Sequence, residues 1–105
     1  MGKRVYISGP ITGTCDYMYR FYRAEAYLKS KGYEVINPAF INSWLPDDST
    51  HEEYMIVSMA LLKICDTIYM LDGWQESKGA MMEAEYAVFS GYEFWEQNKK
   101  VEAIE

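Results

Sequence analysis

Apolar and polar positions along this chain alternate between the period of a strand and the period of a helix. A β-branched and aromatic run at residues 4–8 ends at a Gly-Pro pair, which is typical of a strand followed by a turn. Apolar residues recur at helical spacing over residues 16–31, and Gly32 stands where a helix commonly ends. A second strand is predicted at residues 33–37.

The same alternation continues through the middle of the chain. Residues 38–48 contain two prolines and two aspartates, which predicts a loop with a short turn of helix. The sequence Ser49-Thr50-His51-Glu52 is typical of a capping box, and it opens a helix that extends to about residue 64. Residues 66–71 are apolar on both faces, as expected of a central parallel strand.

The last clear helical pattern covers residues 77–90, and Gly91 follows as its end. A fourth strand is expected at residues 92–95, whereas residues 100–104 are either a fifth strand or a polar tail. This alternation predicts a single α/β domain over residues 1–105, with three layers and a parallel sheet of four or five strands. The first and third strands are expected to be neighbours.

The carboxyl edge of such a sheet is the expected place for a functional site, because open parallel sheets bind ligands there. In this chain three short segments follow the strands at that edge: Ser8-Gly9-Pro10, Asn37-Pro38 and Asp72-Gly73. We therefore expect Gly9 and Asp72 to meet at one edge of the sheet.

Composition narrows the choice of ligand. The 105 residues include 10 Lys and Arg against 16 Asp and Glu, for a net charge of −6. This balance argues against a nucleic-acid polymer and against an anionic membrane as partner, because both attract basic surfaces. The balance does not exclude a small anionic ligand, since one local pocket can hold such a ligand against the overall negative charge.

We expect no structural metal site, no disulfide framework and no membrane-spanning segment. Cys15 and Cys65 lie far apart and have only His51 as a further candidate ligand, too few for a structural zinc site and unlike a disulfide framework. No stretch reaches the roughly 18–20 apolar residues of a membrane span, and the first residues lack the core of a signal peptide. We expect a cytoplasmic protein that needs no metal ion and no cofactor.

The turn after the first strand is the first candidate for chemistry. Residues 6–13 combine two glycines with the hydroxyls of Ser8 and Thr12 before a helix begins. Glycines let the backbone approach a ligand, and exposed N–H groups near a helix start favour an anion. The segment matches neither a Walker A loop nor GxGxxG. A purely structural turn is the alternative.

The last helix carries the second candidate. Glu83 shares one face with Ala80, Ala84 and Ala87, a stripe of small residues suited to close packing on the sheet. A carboxylate in that stripe is out of place unless it faces a cavity, because an unpaired buried charge is costly. Alternatively, Glu83 lies at the edge of the stripe and reaches solvent. Ser77 suits the N-cap of this helix.

Three further features leave more than one interpretation. Trp74 either packs over a ligand or covers the end of the sheet. His51 lies in the first turn of a predicted helix, where a surface residue is more common than a catalyst. The first helix contains several tyrosines that cannot all point into one core, which predicts a homodimer or a larger homo-oligomer.

Four segments together carry a family resemblance. They are YISGPITG (6–13), GYEVINP (32–38), CDTIYMLDGW (65–74) and SKGA (77–80), the last followed by Glu83. In this order they resemble the small phage and bacterial proteins grouped as DUF4406, over about residues 3–92. That group is similar to nucleoside 2-deoxyribosyltransferases and to 2′-deoxynucleoside 5′-phosphate N-hydrolases.

The resemblance implies a flavodoxin-like or Rossmann-like domain and a role for each matching residue. Glu83 matches the glutamate nucleophile that attacks the anomeric carbon, and Tyr6 matches the tyrosine that positions it. We therefore expect the Glu83 carboxylate to lie within hydrogen-bond reach of the Tyr6 hydroxyl and to face a pocket lined by Tyr6, Gly9, Asp72 and Ser77. Ser77 matches a serine that the phosphate-dependent hydrolases use. Ser8 and Gly9 match the glycine turn that contacts sugar or phosphate.

Two features depart from the relatives. Ser58 stands where they carry an aspartate associated with proton transfer, and the C-terminus is short and polar. Asp72 is therefore the best available acid for the departing base, with Asp16 as the second choice. The predicted catalytic residues are Glu83, Tyr6 and Asp72, and the predicted substrate contacts are Ser8, Gly9, Pro10, Thr12, Asp16, Trp74, Ser77 and Gly79.

Three functions follow as hypotheses. The first is cleavage or transfer at the N-glycosidic bond of a nucleoside or nucleoside 5′-monophosphate through a glutamate nucleophile. The second, which Ser58 favours, is a non-catalytic module that binds a nucleotide or nucleotide sugar. The third is a domain that processes NAD or ADP-ribose. In each case the expected partner is a small molecule.

Overall fold

A parallel β-sheet forms the centre of the fold. The structure, a computed structural model, describes residues 3–98. Within these residues the strands are β1 (Arg4–Ser8), β2 (Glu34–Ile36), β3 (Thr67–Met70) and β4 (Glu93–Glu96), in the order β2-β1-β3-β4. The predictions of a parallel sheet and of β1 beside β3 are confirmed. The predicted alternatives for residues 100–104 lie outside the described residues.

Helices connect the strands. Within the described residues they are α1 (Tyr17–Ser30), α2 (Ile41–Trp44), α3 (His51–Leu62) and α4 (Lys78–Phe89), and 3₁₀ turns lie at Pro38–Phe40 and Trp74–Glu76. None of the helices in residues 3–98 has the length and apolar character needed to cross a membrane.

The sheet divides the apolar core into two halves, one on each face. Val5 and Ile7 of β1 pack with α1 on one face. Tyr6 packs on the other face with Ile68 of β3 and with residues of α3 and α4. This division follows from the strand period of two, which points successive side chains to opposite faces. Helices on both faces give the predicted three-layer α/β architecture.

The turns after β1 and β3 lie side by side at the carboxyl edge of the sheet. Ser8 pairs with Met70 in the parallel register, and the Leu71 N–H donates to the Ser8 carbonyl over 2.8 Å. Gly9 then passes so close to Leu71 that an added Cβ would lie 2.8 Å from the Leu71 Cβ. The close approach of these two segments therefore requires a glycine at position 9.

The start of α3 differs by one residue from the sequence-based expectation. Thr50 is the N-cap, and its hydroxyl accepts a hydrogen bond from the Glu53 N–H. The Glu53 carboxylate in turn accepts one from the Thr50 N–H, which completes the capping box. The box thus begins at Thr50 instead of Ser49, and α3 begins at His51 near the carboxyl edge of the sheet.

The outer face of α1 is rich in exposed tyrosines. Tyr19, Tyr22 and Tyr27 have 60%, 62% and 52% of their surface exposed. Tyr17 is half-buried, with its ring edge-on to Phe21. The expectation that these rings cannot all enter one core is confirmed, and the homo-oligomer inferred from them stays a prediction.

We expect Gly9→Ala to destabilise the fold by about 1–3 kcal/mol, because the new methyl group would overlap the Leu71 Cβ. In a domain of this size each kcal/mol lowers the Tm by about 4–8 °C, which thermal unfolding measures.

Gly79→Ala is the matched comparison. Its added Cβ would lie 3.2 Å from the Met55 sulfur, near the end of a flexible side chain, and alanine favours the helix that contains it. We expect a smaller loss of stability than for Gly9→Ala. Equal losses in the two variants would contradict the argument from close packing.

Candidate active site

A cavity of about 750 Å³ opens at the carboxyl edge of the sheet. Most of its wall comes from three segments, residues 7–12 after and within β1, residues 49–51 at the start of α3, and residues 76–80 at the start of α4. Glu83 also lines it, one turn further along α4 than Gly79. The parallel topology brings these segments together, as the sequence analysis expects for this edge.

Glu83 is buried in this wall, and both of its carboxylate oxygens are held. The Tyr6 hydroxyl donates to Oε2 over 2.7 Å, and the Ser8 hydroxyl donates to Oε1 over 2.6 Å. Only 5% of the Glu83 surface is exposed, and the ion pairs within residues 3–98 do not include it. The predicted hydrogen bond between Tyr6 and Glu83 is present, and the solvent-facing alternative for Glu83 is wrong.

Secondary structure accounts for this arrangement. Tyr6 and Ser8 are two residues apart on β1, so both hydroxyl groups point to the same face of the sheet. The predicted alanine stripe of α4 is buried against that face, which lets the helix lie close enough for Glu83 to reach both hydroxyl groups. Tyr6 itself is fully buried behind the carboxylate and does not line the cavity, contrary to the sequence-based expectation.

Burial dominates the electrostatics of this cluster. It raises the pKa of Glu83 above the usual value of the group, although hydrogen bonds from Ser8, Tyr6 and Ser58 oppose the shift. Burial and the negative charge of Glu83 also raise the pKa of Tyr6 well above its usual value, so Tyr6 remains a proton donor. A poorly hydrated carboxylate held by hydroxyl donors is suited to act as a nucleophile.

Ser58 belongs to the same cluster. It is fully buried on α3, and its hydroxyl donates to the Met55 carbonyl over 3.3 Å. The hydroxyl also favours the charged form of Glu83 and so lowers its pKa. The position that the resemblance assigns to an aspartate thus faces the carboxylate, but with a neutral side chain.

Most of the predicted substrate contacts line the cavity. They are Ser8, Gly9, Pro10, Thr12, Ser77 and Gly79. Ser77 is also the N-cap of α4, as predicted, and its hydroxyl accepts a hydrogen bond from the Ala80 N–H over 3.2 Å. The structure brings these residues together, and their contact with a substrate stays a prediction.

Asp72 and Asp16 lie outside this cavity. Both line a second cavity of about 630 Å³, beside α1. The Asp72 carboxylate accepts a hydrogen bond from Asn98, and the Asp72 carbonyl accepts one from Arg20 over 2.7 Å. The prediction that Asp72 lines the pocket of Glu83 is therefore wrong, and Asp16, the second choice of acid, also lies away from Glu83.

The turn after β3 explains this difference. Gly73 has a φ of 85°, a left-handed conformation that redirects the chain directly after Asp72. Residue 97, just beyond β4, also pairs with this turn, because its side-chain oxygen accepts from the Asp72 N–H over 3.0 Å. The end of a strand thus fixes the edge at which a residue lies, whereas the turn decides which cavity its side chain joins.

Trp74 covers the end of the sheet. Its ring stands edge-on to Phe94 at 5.7 Å between centroids, and its Nε1 donates to a Glu96 carboxylate oxygen over 3.1 Å. Trp74 is not part of the cavity that contains Glu83. Of the two interpretations that the sequence leaves open, the structure supports the covering role.

The sequence-based assignment does not include two residues that line the cavity, His51 and Tyr54. Both line the cavity from the first turns of α3. Burial and the negative charge of Glu83 raise the pKa of Tyr54. The capping box was the available signal, because it starts α3 at the carboxyl edge of the sheet. Within residues 3–98, no group of three or more His, Cys, Asp and Glu is placed to hold a metal ion.

Glu83→Gln should stabilise the protein at neutral pH. Because the pKa of Glu83 is raised on folding, its contribution to stability is complete below the unfolded value of about 4.5 and is lost as the pH rises through the folded value. The Gln side chain of the variant stays neutral, so the variant does not lose stability in this way as the pH rises. We expect its Tm to exceed that of the wild type by several degrees at pH 8, since each kcal/mol corresponds to about 4–8 °C.

The difference in Tm should shrink as the pH falls toward 4.5. Glu85→Gln is the control, because Glu85 lies exposed on the same helix and its replacement removes the same charge from water. This variant should follow the wild type at every pH. A Tm difference for Glu83→Gln that stays constant from pH 4 to 8 contradicts the proposed electrostatics.

Comparison with known proteins places this chain in a family. Residues 3–94 match the model of a family described as a domain of unknown function (DUF4406). No curated protein matches the chain. Among solved structures, the fold is similar to the 2-deoxyribosyltransferase from the psychrotolerant bacterium Bacillus psychrosaccharolyticus, with a TM-score of 0.71 and 14% sequence identity over 93% of this chain and 76% of that chain. Since the family model covers most of its length, the chain belongs to the DUF4406 family and has the fold seen in a 2-deoxyribosyltransferase.

Proposed function

We propose that this protein breaks the N-glycosidic bond of a nucleoside or nucleoside 5′-monophosphate, with Glu83 as the nucleophile. The observation that supports the proposal is the Glu83 carboxylate itself, which lies buried in the wall of a cavity and is held at both oxygens by Tyr6 and Ser8. The likeness in fold to a 2-deoxyribosyltransferase and the matching motifs of the resemblance support the same reaction.

The reaction proceeds in two displacements. A Glu83 carboxylate oxygen attacks the anomeric carbon, the carbon–nitrogen bond breaks, and its electron pair passes to the departing base, which takes up a proton. The sugar is then held as an ester on Glu83. Attack by water at the same carbon releases the free sugar, whereas attack by a second base completes a transfer, and either route retains the configuration.

Tyr6 and Ser8 position the nucleophile. A carboxylate oxygen has a second lone pair, so each oxygen can attack while its hydrogen bond to a hydroxyl group persists. The two bonds fix the carboxylate in one orientation, which reduces the entropy lost on reaching the transition state. Their donors also stabilise the carboxylate when it leaves the ester in the second displacement.

The cavity offers groups suited to a phosphate. Thr12 and Ser77 bring hydroxyl groups, and the N-terminus of α4 brings backbone N–H groups and the positive end of its dipole. Lys78 adds a positive charge at the same wall. These groups favour a 5′-monophosphate as substrate. The proposed reaction uses only side chains and backbone N–H groups of the protein, without a metal ion or a cofactor. We further propose that the protein acts in the cytoplasm and as a homo-oligomer.

A module that only binds nucleotides is the second candidate. The buried Ser58 favours it, because a neutral hydroxyl faces Glu83 where the resemblance assigns an aspartate. Such a module would retain the cavity and its hydroxyl groups without turnover.

Incubation with a panel of 2′-deoxynucleosides and their 5′-monophosphates, followed by chromatography of the released base, tests the proposal. We expect Glu83→Ala and Glu83→Gln to lose activity by several orders of magnitude, because the covalent route is gone. Tyr6→Phe should be milder, about tenfold to a hundredfold, because it removes one hydrogen bond to a charged group, worth ~1–3 kcal/mol.

Glu85→Gln is the control for the loss of a negative charge on α4, and its activity should equal that of the wild type. Binding of a nucleotide without release of base by the wild type would favour the binding module. Release of base that persists in Glu83→Ala would show that another group is the nucleophile.

A further inference from the structure

The proposed reaction needs a proton donor that the predicted set does not supply. A purine or pyrimidine base that departs as an anion is a poor leaving group, and a positioned acid commonly accelerates such a step by about 10²–10⁴-fold. Asp72 was the expected acid, but it lies along the other cavity. A donor for this step therefore has to lie among the groups that line the cavity with Glu83.

His51 lines the same cavity as Glu83. It occupies the first turn of α3, and its ring lies over Gly79, with Cε1 and Nε2 3.4 and 4.0 Å from the point where a Cβ of residue 79 would stand. Gly79 precedes Glu83 by four residues, so the two positions share a face of α4 at about 5–6 Å between Cβ positions. The imidazole thus faces the site about one helical turn from Glu83.

The absence of a side chain at Gly79 makes room for this ring. A Cβ at that position would lie 3.2 Å from the Met55 sulfur and 3.4 Å from the nearest atom of the His51 ring. The ring therefore packs directly on α4 and forms part of the wall of the cavity that Glu83 also lines, where a base would lie while its sugar is at the carboxylate. His51 is also exposed to solvent, so water that enters the cavity can reach it.

The other polar groups of this wall are less suited to donate a proton. Burial and the charge of Glu83 raise the pKa of Tyr54, so this phenol holds its proton firmly. The Ser77 hydroxyl already serves as the N-cap of α4. Glu76 and Lys78 lie exposed at the rim of the cavity. Histidine is the side-chain type that ordinarily exchanges a proton near neutral pH.

We infer that His51 is the general acid for the departing base, an inference that rests on the proposed function. As a Glu83 oxygen bonds to the anomeric carbon and the carbon–nitrogen bond breaks, the His51 imidazolium transfers its proton to a ring nitrogen or carbonyl oxygen of the base. The base leaves neutral, and His51 is left as neutral imidazole. In the second step neutral His51 accepts the proton of the attacking water.

The test compares substrates that differ only in their need for this proton. An N7-methylated purine carries a positive charge in the nucleotide and leaves as a neutral base without protonation. The first pair of substrates is 2′-deoxyguanosine 5′-monophosphate and its N7-methyl counterpart. If the enzyme prefers pyrimidines, the second pair is used, namely deoxyuridine 5′-monophosphate and 5-fluorodeoxyuridine 5′-monophosphate, of which the fluorinated base is the better leaving group. The enzymes are the wild type, His51→Gln, Glu83→Ala and the control Glu52→Gln.

We expect His51→Gln to lower kcat by about 10²–10⁴-fold on the unmodified base and by less than about tenfold on the better leaving group. Glu83→Ala should lose both activities, because both substrates need the nucleophile. Glu52→Gln, which changes an exposed neighbour outside the cavity, should match the wild type on both.

Each outcome separates the inference from the proposed function. Equal losses by His51→Gln on both members of a pair, or no loss on either, would overturn the assignment of His51 alone. Failure of the wild type to release base from any substrate would overturn the proposed function instead. Thermal unfolding of His51→Gln establishes that a loss of kcat does not come from a loss of fold.

Discussion

The burial of one carboxylate is the constraint on which the rest of this structure depends. Glu83 lies in the interior without an ion pair among residues 3–98, so hydroxyl groups alone stabilise its charge. Both donors with short bonds come from β1, because Tyr6 and Ser8 point to the same face of one strand. A slip of β1 by one residue would turn these hydroxyl groups to the other face and leave the charge unpaired.

The position of β1 and the packing of α4 follow from that constraint. β1 lies inside the sheet, between β2 and β3, where hydrogen bonds on both sides fix its register. Small residues on the inner face of α4 let this helix approach the sheet closely enough for Glu83 to reach both donors. Gly9 allows the chain to leave β1 against Leu71, which opens the edge where the cavity forms.

The two faces of the sheet divide the chemistry of the chain. The face of α3 and α4 carries the buried carboxylate, its hydroxyl donors and the histidine at the start of α3. The region beside α1 carries Asp72 together with arginines and tyrosines in a separate cavity. Residues that follow neighbouring strands at the carboxyl edge therefore need not serve the same site.

Local patterns in the sequence determined the elements, the parallel sheet and the alanine stripe around Glu83, because hydrophobic period and helix caps act over only a few residues. The hydrogen bond from Tyr6 to Glu83 was expected from the family resemblance and from no local period. Tertiary structure alone decided the surroundings of these residues. Hydrogen bonds with Arg20 and Asn98 hold Asp72 at the other cavity, and α3 brings His51 to the cavity of Glu83, although the local sequence distinguishes neither residue from a surface residue. Side-chain direction at a strand end depends on contacts between distant segments, and no local period records those contacts.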